Sequence, residues 1–124
     1  MKIRIRGNSL RLRLMQSEVE AFTDDGGYKE TIDFGGTQLI YAIYLKPEAE
    51  CIYAEFKQNK ISVYVPEPIG RRWANSDIIG MENQQHLYGE KFLRILIEKD
   101  FKCLAERQHE DQSDAFQNPV NSSC

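Results

Sequence analysis

The sequence predicts a mainly β fold of the α+β class: a single antiparallel sheet of about seven strands that curls toward a barrel or sandwich, with one or two short helices. Short runs rich in β-branched and aromatic residues recur along the chain, and two of them alternate strictly between charged and aliphatic residues. The breaks between most runs are too short for a parallel crossover, which favours antiparallel neighbours. A sheet of this size that only short helices cover tends to curl or fold over.

The first two strands are predicted at residues 2–6 and 10–14, on either side of a tight turn. Both runs alternate with a period of two, which is typical of a strand with one buried face. Gly7 and Asn8 between them have the chemistry of a two-residue hairpin turn.

The remaining elements follow in order along the chain. Ser17 and Glu20 have capping-box spacing, which predicts a short helix that runs to about Phe22 and is ended by residues 24–27. Strand-like runs are predicted at residues 28–34, 37–46, 51–57, 61–65 and 92–97, with a short strand at 77–81. Residues 69–75 are predicted to form one or two helical turns that carry Trp73, and the polar residues 82–90 are predicted to form a loop.

The length and composition indicate one globular domain with a polar end. The 124 residues, 41% of them hydrophobic and 28% charged, suit a single domain of ordinary size. We expect residues 1–104 to form this domain and the acidic residues 105–124 to form a tail that is disordered or lies on the surface. The net charge of −3 excludes bulk attraction for nucleic acid or an anionic membrane, so anion binding requires a local patch.

The sequence predicts a cytoplasmic protein without a membrane partner. Its three cysteines have no CxxC spacing, which argues against a disulfide framework and fits a reducing compartment. No apolar run is long enough to span a bilayer, and the first residues lack the apolar stretch of a signal peptide.

The cations of the first hairpin are predicted to lie on one face. If Gly7 and Asn8 form the turn, Arg4 lies opposite Arg11 and Lys2 lies opposite Arg13, while the aliphatic residues line the other face. Like charges directly opposite each other destabilise a sheet, so this face requires a compensating anion. Acids of the same chain are one source, and an external ligand or a second protein is the other.

A binding site for a phosphorylated ligand or nucleic acid is one hypothesis for this face. Arginine predominates there, and its planar guanidinium matches the oxygens of a phosphate. Tyrosines on the same face would offer stacking surfaces for a base. The candidate ligand-binding residues are Arg4, Arg6, Arg11, Arg13, Tyr53, Tyr64 and Arg94.

No catalytic residue, metal ligand or cofactor is predicted. Cys103, His109, Asp111 and Asp114 lie close in sequence, but their spacing matches no standard zinc pattern. A nucleophilic enzyme needs a thiol or hydroxyl beside an oriented base, and neither histidine lies in a recognisable signature with a cysteine. The residues therefore favour a protein without catalytic activity.

The chain resembles an uncharacterised family of short bacterial proteins, a domain of unknown function. The resemblance covers nearly the whole chain, and the motifs that carry it are the segment at residues 7–11, Trp73 with Ser76 and Asp77, and the segment at residues 98–103. It implies a bacterial, cytoplasmic, single-domain protein. The family brings no characterised activity, so no catalytic residue is implied.

Three functions are consistent with these observations. The first is a structural or interaction protein whose charged face is neutralised by its own acids or by another chain. The second is a non-enzymatic binding module for a phosphorylated ligand or nucleic acid. The third is a phosphate-ester hydrolase, which would need Glu55 and Glu98 to converge on the arginines. The sequence favours them in that order, and it leaves the partner and the oligomeric state open.

Overall fold

The computed structural model describes residues 1–101 together with residues 114 and 116. Its elements, in chain order, are β1 (Lys2–Arg6), β2 (Ser9–Leu14), α1 (Gln16–Asp25), β3 (Gly27–Asp33), β4 (Gln38–Lys46), β5 (Tyr53–Lys57), β6 (Lys60–Pro66), α2 (Glu67–Ala74), β7 (Gly80–Tyr88) and β8 (Lys91–Lys99). The predicted boundary between a domain at 1–104 and a tail at 105–124 lies outside the described residues, as does most of the predicted tail.

The strands form two separate four-stranded sheets of mixed direction. One sheet has the order β1-β2-β8-β7, and we call it the arginine sheet. The other has the order β3-β4-β6-β5, and we call it the tyrosine sheet. In each sheet two antiparallel hairpins lie side by side, and their inner strands, β2 with β8 and β4 with β6, run parallel.

The two halves of the chain repeat one arrangement. Each half consists of a hairpin, a short helix and a second hairpin, and each sheet takes the first hairpin of one half and the second hairpin of the other. Backbone hydrogen bonds repeat as well: Arg94 N donates to Asn8 O at 3.1 Å, and Ile40 N donates to Asn59 O at 3.0 Å. The fold therefore has an internal pseudo-two-fold symmetry.

One hydrophobic core lies between the sheets and under the helices. The arginine sheet contributes Leu12 and Ile97, and the tyrosine sheet contributes Ile43 and Val63, all of them fully buried. The rings of Phe22 in α1 and Trp73 in α2 meet edge to face at 6.1 Å between centroids. Aromatic pairs of this geometry add to the stabilisation that burial provides, so each helix is anchored by one ring.

The predicted fold class is confirmed in its coarse form and wrong in its sheet arrangement. The protein is mainly β with two short helices, but it has two mixed sheets rather than one antiparallel sheet of about seven strands that curls toward a barrel or sandwich. The short breaks within each hairpin do join antiparallel strands, but the break between β4 and β5 does not, because β5 pairs with β6 and not with β4. The parallel pairs arise where two hairpins meet along their inner strands: the first and last hairpins of the chain at β2 and β8, and two consecutive hairpins at β4 and β6.

Two local predictions are also wrong. Residues 82–90 are not a loop, because β7 extends over Gly80–Tyr88 and pairs with β8. Helix α1 begins at Gln16, with Met15 rather than Ser17 as the N-cap residue. Glu18, three residues after Met15, accepts a hydrogen bond from Met15 N on its Oε1 at 2.7 Å, so the capping glutamate is Glu18 and not Glu20.

Candidate anion-binding face

The first hairpin has the register that the sequence predicts. Arg4 lies opposite Arg11, and Lys2 lies opposite Arg13. Gly7 has a φ of +55°, which a tight two-residue turn requires and which glycine adopts without strain. The Asn8 side chain donates to Phe92 O at 2.6 Å and so attaches the turn to the neighbouring hairpin.

The face of the arginine sheet that points away from the core is rich in cations. Leu12 and Ile97 point into the core, so the alternate residues of their strands point outward. Register places Arg94 beside Ser9, which in turn lies opposite Arg6. We call this surface the cationic face, and its basic residues are Lys2, Arg4, Arg6, Arg11, Arg13 and Arg94.

Acids of the same chain neutralise part of the cationic face. Glu98 Oε1 lies 3.4 Å from Arg11 Nε and 3.5 Å from Arg13 Nε, so one carboxylate serves two guanidinium groups. Glu82 Oε2 lies 3.4 Å from Arg94 Nη2. Lys2 Nζ lies 3.1 Å from Asp100 Oδ2. Among the described residues of this face, the cations outnumber the acids.

The cations differ in exposure along the sheet. The side chains of Arg11 and Arg13, on the inner strand β2, are 23% and 19% exposed. The side chains of Lys2 and Arg94 are 73% and 61% exposed, and Arg4 and Arg6 on the edge strand β1 are exposed as well. The positive surface that solvent or a partner meets is therefore concentrated toward β1.

The two predicted tyrosines lie on the other sheet, away from the arginines. Tyr53 is in β5 and Tyr64 in β6, whereas the arginines belong to β1, β2 and β8. The Tyr64 ring stacks on Tyr53 at 4.9 Å and on Tyr44 at 5.8 Å between centroids. Because the rings stack on one another, Tyr64 has a tyrosine on each side rather than a free ring face for a base.

Lysines complete the tyrosine row. Lys46 Nζ lies 2.6 Å from the Tyr53 hydroxyl and 4.8 Å from the centroid of the Tyr64 ring. The hydrogen bond with Tyr53 raises the pKa of Lys46, which stays charged. Lys60 Nζ makes the same contact with the Tyr44 hydroxyl at 2.6 Å. The row is thus a self-contained aromatic and cationic ladder across the tyrosine sheet.

A buried polar cluster lies near the start of β1, and sequence analysis missed it. The amino group of Met1 donates to the buried carboxylate of Glu18 and to Glu30 Oε2, the latter at 3.1 Å. The Tyr41 hydroxyl lies 2.9 Å from the same Glu30 oxygen, and the Tyr28 hydroxyl donates to Glu30 Oε1 at 3.3 Å. The only sequence signal was a glutamate, Glu18, on the apolar side of a helix.

The pKa values in this cluster follow from its contacts. Burial raises the pKa of Tyr41 to about 12, helped by the hydrogen bond and negative charge of Glu30. Burial and the charge of Glu30 likewise raise the pKa of Tyr28 to about 12. Burial alone would raise the pKa of Glu30, but hydrogen bonds from Tyr41 and the Met1 amino group outweigh it and lower that pKa. The Glu30 carboxylate therefore stays charged beside neutral tyrosines.

No metal-binding group of three or more His, Cys, Asp or Glu side chains occurs among residues 1–101. Of the four residues weighed for zinc, Cys103, His109 and Asp111 lie outside the described residues. No described helix is long and apolar enough to cross a membrane. Two clefts, of about 440 Å³ and 310 Å³, are present in the described part, and no arginine of the cationic face lines either of them.

Comparison with known proteins identifies a family but no activity. The model of a family of unknown function, DUF7009, matches residues 1–120. No curated protein matches the chain, and no solved structure matches it. The resemblance to an uncharacterised family is therefore confirmed, whereas the bacterial origin and the cytoplasmic location stay predictions.

Proposed function

We propose a function from the geometry, because the chain belongs to this family of unknown function and inherits no activity from it. The protein is an interaction module that binds an acidic polypeptide on its cationic face. The observation that carries the proposal is the excess of cations over acids among the described residues of one outward sheet face, where all three cations of the edge strand are exposed. The protein acts by binding, and no catalytic step is part of the proposal.

The spacing of the cations supports an extended acidic chain as the ligand. Alternate residues of a strand lie about 6.8 Å apart, so Lys2, Arg4 and Arg6 form a row with that repeat. Alternate acidic side chains of an extended polypeptide have the same repeat and meet each cation in turn. A small phosphate, in contrast, is bound where guanidinium groups converge in a pocket, and neither of the two clefts described above is lined by an arginine.

A nucleic acid or another phosphorylated ligand is the second candidate. Arginine rather than lysine occupies Arg4, Arg6, Arg11, Arg13 and Arg94, and guanidinium groups bind phosphate through two parallel hydrogen bonds. The position of Tyr53 and Tyr64 on the other sheet, where Tyr64 stacks between two tyrosines, weakens this candidate, because single-stranded nucleic acids gain much of their affinity by stacking.

A thermal-shift assay with three probes separates these candidates. Polyglutamate, a single-stranded oligonucleotide and tripolyphosphate are added to the protein at low and at physiological salt. The test variant is Arg6→Glu with Arg94→Glu, both exposed on the cationic face. The matched control is Lys29→Glu with Lys57→Glu, which changes the net charge equally on the outward side of the tyrosine sheet.

The proposal predicts that polyglutamate raises the melting temperature of the wild type at low salt, by an amount that decreases with added salt. The Arg6/Arg94 variant should lose this rise, and the Lys29/Lys57 control should keep it. A rise with the oligonucleotide or tripolyphosphate alone would instead select the second candidate. No rise with polyglutamate, or an equal loss in the control, would refute the proposed function.

A further inference from the structure

Within the described part of the chain, strand β1 has a free hydrogen-bonding edge. It is the outermost strand of the arginine sheet, and among the described strands only β2 pairs with it. Arg6 and Ser9 flank the two-residue turn, so they are a hydrogen-bonded pair and such pairs alternate along the hairpin. Ile3 and Ile5 therefore direct their backbone N–H and C=O groups away from β2. In the described part of the chain no backbone or side-chain group bonds to them.

The equivalent edge in the other sheet is blocked. Under the internal symmetry β5 corresponds to β1, with Ala54 in the place of Ile3 and Phe56 in the place of Ile5. The side-chain amide of Gln85 in β7 accepts a hydrogen bond from Ala54 N at 2.7 Å and donates to Ala54 O at 3.1 Å. Gln85 thus occupies this edge as a neighbouring strand would.

The corresponding position near β1 cannot provide this cap. Gln85 pairs with Leu93 in β8, and the symmetry equivalent of that pair is Ile32 with Leu39. An isoleucine side chain has no hydrogen-bonding group. Ile32 is 40% exposed and Ile5 is 62% exposed. In the part of the chain that the structure describes, the fold therefore closes the edge of β5 with an amide, whereas the edge of β1 has no such cap and lies beside exposed apolar side chains.

We infer that β1 is the docking strand of the proposed function and that the acidic partner binds by adding a strand to this edge. This inference rests on the proposed function and specifies how the partner is held. The partner segment is extended and alternates acidic with apolar residues. Its acids meet Lys2, Arg4 and Arg6 on one face, its apolar residues meet Ile5 on the other, and its backbone bonds to Ile3 and Ile5.

The charges on β1 argue against a second copy of this chain as the occupant. An edge-to-edge pair of two β1 strands would place cations of one copy beside cations of the other. Like charges side by side across strands are destabilising, and charged residues on edge strands are a known device against self-pairing. An acidic strand removes this repulsion and gains the pairing.

The test removes one outward N–H without changing the charge of the face. Proline at position 5 deletes the Ile5 N–H, which β2 does not use, and it keeps Arg4 in the extended region that a strand requires. Ile5→Ala is the matched control, because it shortens the same side chain and keeps the N–H. The probe is a capped ten-residue peptide of alternating Glu and Val. A peptide of alternating Glu and Pro has the same charge but cannot form the ladder.

We expect the wild type to bind the Glu–Val peptide at least about ten-fold more tightly than the Glu–Pro peptide, because a lost backbone pairing costs that much. Ile5→Pro should weaken binding of the Glu–Val peptide by a similar factor, and Ile5→Ala by less than about three-fold. In the wild type, amide hydrogen exchange at Ile3 and Ile5 should slow when the peptide binds. That last measurement needs no variant, so it stands even if Ile5→Pro fails to fold.

Three results would overturn this inference. They are equal affinity for the two peptides, unchanged exchange at Ile3 and Ile5, and a dimer of the free protein that Ile5→Pro dissociates. If polyglutamate still stabilises the wild type in a manner that depends on Arg6 and Arg94, only the docking strand is refuted. If that stabilisation is absent too, the proposed function has failed.

Discussion

Replacing Glu98 with glutamine tests how far the cationic face is balanced by its own acids. Glu98 faces two guanidinium groups, at 3.4 Å and 3.5 Å, and its side chain is only 21% exposed. An exposed ion pair contributes roughly 0.2–1 kcal/mol, and pairs that are mostly shielded from water are screened less. Loss of both pairs should lower the free energy of unfolding by about 1–2 kcal/mol.

Urea and thermal unfolding at low and high salt provide the measurement. For a domain of this size the loss corresponds to a decrease in melting temperature of about 3–8 °C, and the difference from wild type should shrink at high salt. Glu82→Gln is the matched control: Glu82 faces Arg94 at 3.4 Å, but both side chains are about 60% exposed, so its effect should stay below about 0.5 kcal/mol. Equal effects of the two variants at low salt would refute the reasoning.

Three further predictions concern the seam and the buried cluster. Gln85→Ala should lower the free energy of unfolding in urea by about 1–3 kcal/mol, because Ala54 loses both of its edge partners. The pKa of Tyr41 is raised to about 12, so its contribution to stability is complete below pH 10 and is lost between pH 10 and 12. Tyr41→Phe should therefore weaken the dependence of stability on pH in this range, measured by circular dichroism during alkaline unfolding. The pKa of Glu30 is lowered below its usual 4.5, so its contribution to stability is present above that pH and is lost as the pH falls through the lowered pKa. Glu30→Gln should therefore weaken the dependence of stability on pH during acid unfolding.

The first hairpin and its charged face were predictable because they depend on local chemistry. A two-residue turn at Gly7 and Asn8 determines which residues lie opposite each other, and strict alternation determines which side they face. The register of Arg4 with Arg11 therefore follows from sequence without knowledge of the rest of the fold. Most of the other strands were also recognisable from their β-branched and aromatic residues.

The sheet arrangement was not predictable by the same means. A period of two shows which side of a strand a residue faces, but not which sheet contains that strand. The pattern therefore groups Tyr53 and Tyr64 with arginines that the structure places on the other sheet. The polar composition of residues 82–90 predicts a loop where the structure has most of strand β7, whose inward positions include the amides Asn83 and Gln85. Those amides bond to the backbone of β5, with Asn83 Nδ2 donating to Ile52 O at 2.7 Å. Their role is visible only when both sheets are assembled.

The most direct test of the proposed function is an NMR titration of the isotopically labelled protein with polyglutamate at low salt. The measurement is the position in the fold of the amide chemical-shift changes. Binding to the cationic face predicts that the largest changes lie in β1, β2 and β8, around Arg4, Arg6 and Arg94. Changes confined to the tyrosine sheet, or no saturable changes at all, would contradict it.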